Sequence, residues 1–130
     1  MSRHLGRGDS ISIYTRTLAF SGGFRVDVSD AAREAGYRVP VFLTGAVYDS
    51  CVTVPAGVDG QDEVGRLWDI LWMMRDAIRH APRGFSRFQF TVYVRNDNRK
   101  PRLVHLVAEI RARDFDGANP ALTVMLPDED

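Results

Sequence analysis

Arg66-Leu67-Trp68-Asp69-Ile70-Leu71-Trp72-Met73-Met74 constrains this chain more than any other stretch. From Leu67 to Met74 only Asp69 is polar, and both tryptophans of the chain lie there. Val64, Leu67, Trp68, Leu71, Met74, Ile78 and Ala81 recur at helical spacing, with Arg66, Asp69, Asp76 and His80 on the opposite stripe. The pattern predicts a long helix over Asp62–Ala81. Asp62 and Glu63 suit its first turn, Arg79 and His80 its last, and Pro82 and Gly84 stop it. A helix this apolar must be the central packing element of a domain, or a partner must cover part of it.

The rest of the chain has to supply that domain. At 130 residues and 45% hydrophobic composition it suits one globular unit with a core that needs no staples. We expect a flexible N-terminus over residues 1–8 and a single domain over 9–130. Cys51 is the lone cysteine, which excludes an intramolecular disulfide and favours a reducing, cytoplasmic setting. Met1 to Asp9 lacks the apolar stretch of a signal peptide, and no run approaches the length of a membrane span. Arg7-Gly8-Asp9 is read as a chance tripeptide. Seventeen basic and seventeen acidic residues cancel, so net charge marks neither a nucleic-acid binder nor an acidic mimic, and it weakly favours association. The charges are uneven, however. Between Arg83 and Arg113 the acids are Asp97 and Glu109, against Arg83, Arg87, Arg95, Arg99, Lys100, Arg102, Arg111 and Arg113.

Before the long helix, Ser10–Ser21 fits helix or strand; we favour a short helix with Gly22-Gly23 as its cap. Phe24, Val26 and Val28 alternate with Arg25 and Asp27 as in a half-buried strand. Ser29 or Asp30 then caps a short helix that Gly36 ends. Pro40 reads as the start of another helix, carrying Val41, Leu43, Thr44, Val47 and Cys51 on one side. After the long helix, Phe88, Phe90, Val92 and Val94 alternate with Arg87, Gln89, Thr91, Tyr93 and Arg95. Val104, Leu106, Ala108, Ile110 and Ala112 alternate with His105, Glu109 and Arg111. A last strand runs from Leu122 to Leu126. Together these predict an α+β fold: an antiparallel sheet of about four strands, with one long and two or three short helices packed on one face.

No catalytic signature stands out. His4, His80 and His105 are scattered, and there is no His-Glu-x-x-His, Cys-x-x-Cys, P-loop or nucleophile elbow. We therefore expect no metal, no cofactor and no catalytic residue. Cys51 with a histidine would be a nucleophilic pair, but a buried, inert thiol fits its apolar neighbours better. Asp69 is either a buried acid–base group or, as we favour, a surface carboxylate bonded to Arg66 or to a neighbouring element. Trp72 sits at the border of the apolar stripe, as core residue or interface anchor. The outer sheet face, with Arg87, Arg95, Arg111 and Tyr93, has one stacking aromatic where an RNA platform needs two or three.

Several stretches carry a resemblance: Tyr14-Thr15-Arg16 through Val26-Asp27-Val28-Ser29 to Ala35-Gly36-Tyr37, Pro40-Val41-Phe42-Leu43-Thr44 with Cys51, Gly65 to Met73, and Leu122 to Pro127 with Glu129-Asp130. In these the chain resembles a bacterial domain-of-unknown-function family seen in plasmids and other mobile elements. The resemblance implies a bacterial or phage-infected cytoplasm and a helix around Tyr14, and it supplies no activity.

The expected function is a non-enzymatic protein-binding module of a mobile element or phage, an inhibitor of a host defence complex of the anti-CRISPR or antirestriction type. The expected contacts are Trp72, Arg75 and Arg79 on the helix, with Arg87, Tyr93, Arg95 and Arg99 on the sheet. Alternatives are a nucleic-acid-binding accessory protein using the basic hairpin, a small enzyme using Asp69 or a buried Glu34, and a homodimer through the long helix. No membrane partner is expected.

Overall fold

A computed structural model describes residues 16–20, 23–82, 84, 86–112 and 120–129. In chain order the elements are β1 (Arg16–Phe20), β2 (Gly23–Asp27), α1 (Ser29–Glu34), β3 (Val41–Thr44) and α2 (Gly45–Val47), a single turn that runs on as a π-helical turn (Tyr48–Val52). Then follow α3 (Glu63–His80), β4 (Arg87–Val94), β5 (Arg102–Ala112) and β6 (Pro120–Met125). The strands form one six-stranded sheet in the order β1-β2-β3-β6-β5-β4. Every neighbouring pair is antiparallel except β3 and β6, which run parallel from Val41↔Leu122 to Leu43↔Val124.

The α+β expectation holds in this coarser form, and the long helix lies where its period placed it. Asp62 accepts a hydrogen bond from the Gly65 N–H at 2.6 Å and so caps α3. Leu67, Ile70, Leu71 and Met74 are buried against Phe90, Val92, Leu106, Leu43 and Val124 on the inner face of the sheet. Alanines 31, 32 and 35 of α1 and its exit let that short helix pack closely into the same core. Gly36, at φ +98°, then reverses the chain, with the Tyr37 N–H reaching back to the Ala32 carbonyl.

Two helical expectations are overturned. Arg16–Phe20, read as part of a Ser10–Ser21 helix, is a strand whose backbone pairs with β2 from Arg16↔Asp27 to Phe20↔Gly23. Gly23 is thus the first residue of a strand, and no helix cap. Pro40–Cys51 is likewise no single helix, since Val41–Thr44 is a central strand. Val41, Phe42 and Leu43 are all buried, and a run apolar on both faces looks alike in a buried strand and a buried helix. These two strands raise the expected four to six and introduce the parallel pair. Nor does Ser29 or Asp30 cap α1; Val28 holds the N-cap position, and Asp27 accepts from the Ser29 N–H at 2.9 Å.

Three apolar residues read as inward remain exposed: Phe24, Ile78 and Ile110. Each lies where the layers run out, next to the Phe20↔Gly23 end of the β1–β2 pairing, in the last turn of α3, and beyond the Arg87↔Glu109 end of the β4–β5 pairing. The far face of the sheet is not uniformly wet either. Phe42, Val107, Thr123 and Met125 are buried there, with Phe42 beside Thr123 and Val107 beside Met125. Residues 1–8, expected to be flexible, and with them His4, Arg7-Gly8-Asp9, Tyr14, Arg83 and Arg113, lie outside the described residues.

Candidate functional site

The border residue of the sequence pattern becomes the centre of a small platform. Trp68 is half-buried and packs on the core; one turn on, Trp72 stacks on it with ring centroids 6.0 Å apart and planes at 24°. The Arg75 guanidinium carbon lies 5.0 Å from the centroid of the Trp72 ring, a cation–π contact. The i, i+3 and i+4 spacing of a helix puts these side chains in reach of one another. Gly36 also approaches Arg75: a Cβ built there would sit 3.6 Å from the guanidinium carbon. Tyr37 completes the flank, donating its hydroxyl to the Leu71 carbonyl at 2.7 Å. Burial pushes the Tyr37 phenol well above its ordinary range, with the Arg75 charge working the other way.

The result is an indole held in place at low entropic cost and still open to solvent. Trp72 is 48% exposed and its neighbour Met73 43% exposed. Around them on the solvent side of α3 are the exposed residues Asp62, Gly65, Asp69, Asp76, Arg79 and His80. Asp69 is therefore a surface carboxylate, as favoured, but Arg66 is not its partner. Desolvation by its surroundings, and then repulsion from Asp62, raise the Asp69 pKa. Glu34, offered as a buried acid, is exposed.

Arg66 is 5% exposed and turns inward. Its Nε donates to Gln61 Oε1 at 3.0 Å, its Nη1 to the Thr53 carbonyl at 2.9 Å and its Nη2 to the Arg95 carbonyl. The guanidinium thus ties the start of α3 to the end of the π-helical turn and the end of β4. Burial lowers its pKa. Arg95, expected at a partner surface, has a similar internal task. It donates to the Asp97 carbonyl at 2.8 Å, to Asn98 Oδ1 at 3.2 Å and to the Asp59 carbonyl, closing the hairpin against the loop before α3.

The other sheet residues stand apart from the helix. Arg87 and Tyr93 alternate with the inward Phe88, Phe90, Val92 and Val94, so they point away from α3. Arg87 binds Glu109 at 3.1 Å. Tyr93 is 68% exposed and sits across from the exposed Leu103. Arg99 is exposed at the hairpin tip beside Lys100 and Arg102. The structure accordingly brings Trp72 and Arg75 together, with the exposed Arg79 one turn beyond Arg75 on the same helix, and leaves the sheet set on another side of the molecule.

Sequence reasoning missed Gly36 and Tyr37 as parts of the flank. Their signal was present as a helix stop followed by an aromatic, but nothing local says which helix that aromatic meets.

The remaining candidates do not assemble. Cys51 is buried in the π-helical turn beside Ser50 Oγ at 3.5 Å, and burial raises its thiol pKa. The exposed His80 has Nδ1 2.9 Å from the Asp76 carbonyl and 3.7 Å from its carboxylate, and His105 is exposed on β5. Among the described residues no group of three or more His, Cys, Asp or Glu lies close enough to hold a metal ion. Among them, too, no helix is long and apolar enough to cross a membrane.

Comparison with known proteins gives one match. A family model described as a family of unknown function (DUF6573) covers residues 1–130. No curated protein and no solved structure matches the chain.

Proposed function

The chain belongs to the family of unknown function DUF6573, which brings no activity with it, and we propose that it is a non-enzymatic protein-binding module that docks through the exposed flank of α3. The supporting observation is Trp72: half-exposed, stacked on Trp68 and capped by Arg75, beside the exposed Met73. Tryptophan and arginine are, with tyrosine, the residue types most enriched among binding hot spots. An anchor already fixed by its own neighbours loses little conformational freedom on binding. The narrower form of this reading is a mobile-element or phage protein that occupies a host defence complex in a bacterial cytoplasm. It rests on the resemblance set out above, and no surface of the fold adds to it.

A nucleic-acid role for the hairpin finds less support. Arg87 is paired with Glu109 and Arg95 is bonded to backbone carbonyls. Arg99, Lys100 and Arg102 remain exposed, with Tyr93 the exposed aromatic of β4, short of a stacking platform.

The test is affinity capture from a bacterial lysate with wild type, Trp72→Ala and Tyr93→Ala. The reading expects a reproducible partner that Trp72→Ala loses and Tyr93→Ala keeps. It fails if both variants retain the same partner. Arg95→Glu is a poor probe, because it breaks the hairpin closure along with any contact.

A further inference from the structure

We propose that the occupant of the α3 flank is a second copy of this chain, its α3 lying antiparallel on the first about a two-fold axis near Met73. The inference rests on reading that flank as a protein-docking surface, and it names the partner.

The charge order along the helix carries it. The exposed apolar pair Trp72 and Met73 falls near the middle of Glu63–His80. On the N-terminal side of that pair the exposed charges are acidic, Asp62 and Asp69. On the C-terminal side lie Arg75, Arg79 and His80, with Asp76 as the one acid and His80 set against it at 3.7 Å. A two-fold axis lays each half on the opposite half of its mate. Acidic ends then meet basic ends twice, and the apolar middles meet each other. A parallel arrangement would set acid on acid and base on base. Antiparallel helices also oppose their macrodipoles. The exposed Gly65 adds no side chain to hold the backbones apart. A formal net charge of zero leaves no long-range repulsion between copies. A nucleic acid on the same flank would meet Asp62, Asp69 and Asp76, which argues against that occupant.

The experiment is sedimentation velocity with light scattering on the full chain, up to about 100 μM. The expected particle has twice the 14.6 kDa chain mass. Asp69→Lys cancels the acidic excess of the N-terminal half, where Asp62 is left against the new cation, and Arg79→Glu leaves the C-terminal half with Arg75 against two acids. Each variant alone therefore removes the attraction between opposite halves, and its self-association should weaken about tenfold or more. An equal mixture of the two should recover the dimer, because the basic half of the first variant then meets the acidic half of the second. All these positions are exposed, and circular dichroism of each variant shows that it folds. Trp72→Ala should also dissociate the dimer.

A wild type that stays monomeric at that concentration overturns the inference. So does a mixture that stays monomeric, or a dimer indifferent to all three variants. A monomer that still captures a Trp72-dependent partner from the lysate sinks the second copy and leaves the docking reading standing. A dimer that follows the charge variants but captures nothing supports the second copy as the occupant and overturns the expectation of a lysate partner.

Discussion

Replacing Arg66 by methionine tests whether one buried guanidinium fastens three separate segments. The side chain is 5% exposed and bonds Gln61 Oε1 and the Thr53 and Arg95 carbonyls. Methionine fills similar space but donates nothing. The Gln61 side chain can turn to water, whereas the part-buried Thr53 and Arg95 carbonyls are fixed in the backbone, so the loss falls on them. Each such acceptor left without a donor costs about 1–3 kcal/mol. Removing the charge returns part of its desolvation penalty, and the apolar side chain adds about 1 kcal/mol of burial. The net destabilisation should be about 2–4 kcal/mol, a large share of the ~5–15 kcal/mol typical of a domain.

Urea unfolding followed by tryptophan fluorescence measures this directly. With a slope of about 2 kcal/mol per molar, the midpoint should fall by about 1–2 M while the slope stays constant. Arg66→Lys should recover less than half, since a single ammonium cannot span acceptors that a planar fork reaches together. A midpoint shift below about 0.3 M in Arg66→Met would refute the reasoning: water would then be supplying the donors, and the guanidinium would fasten nothing.

Asp62→Ala removes the α3 cap and should cost about 1 kcal/mol, while Asp62→Asn should cost much less; thermal unfolding of both variants checks this. Glu129 Oε1 accepts from Thr44 Oγ1 at 2.7 Å and from the Leu126 N–H at 2.8 Å, so Glu129→Ala should lose about 1–3 kcal/mol and speed amide exchange at Leu126. Burial first, against the opposing Arg75 charge, raises the Tyr37 phenol above its ordinary value of 10.0 in the folded state. The native state thus holds the proton more tightly than the unfolded chain, so Tyr37 stability is complete below pH ~10 and declines as pH rises above it. Tyr37→Phe should start less stable, having lost the bond to Leu71, yet show a flatter decline between about pH 10 and 12 in urea midpoints. An unchanged alkaline slope would show that Tyr37 is not the titrating group.

The elements legible in the sequence are those whose signal is complete within themselves. α3 announces itself by an apolar stripe at helical spacing between an acidic start and Pro82. β4 and β5 do so by strict alternation, and the structure keeps Phe90, Val92, Leu106 and Ala108 inside as that alternation requires. Trp72 could be singled out because it stands at the edge of the stripe. What meets Arg75 and Leu71 beside it could not be read, because Tyr37 lies 34 residues before Leu71 and Gly36 comes from the same distant segment. Arg66 and Arg95 look like ordinary surface arginines in the sequence. They are internal ties only because Thr53, Asp59 and Asn98 arrive beside them through the fold.

By itself the order of residues determined the long amphipathic helix and the alternating hairpin that follows it. These depend on periodicity and turn chemistry, which act between near neighbours. The tertiary structure alone decided that Arg16–Phe20 and Val41–Thr44 are strands, that β3 runs parallel to β6, and that the helix and sheet contact sets lie apart. Strand pairing satisfies backbone groups across long separations, so a short apolar segment takes its conformation from the partner it meets.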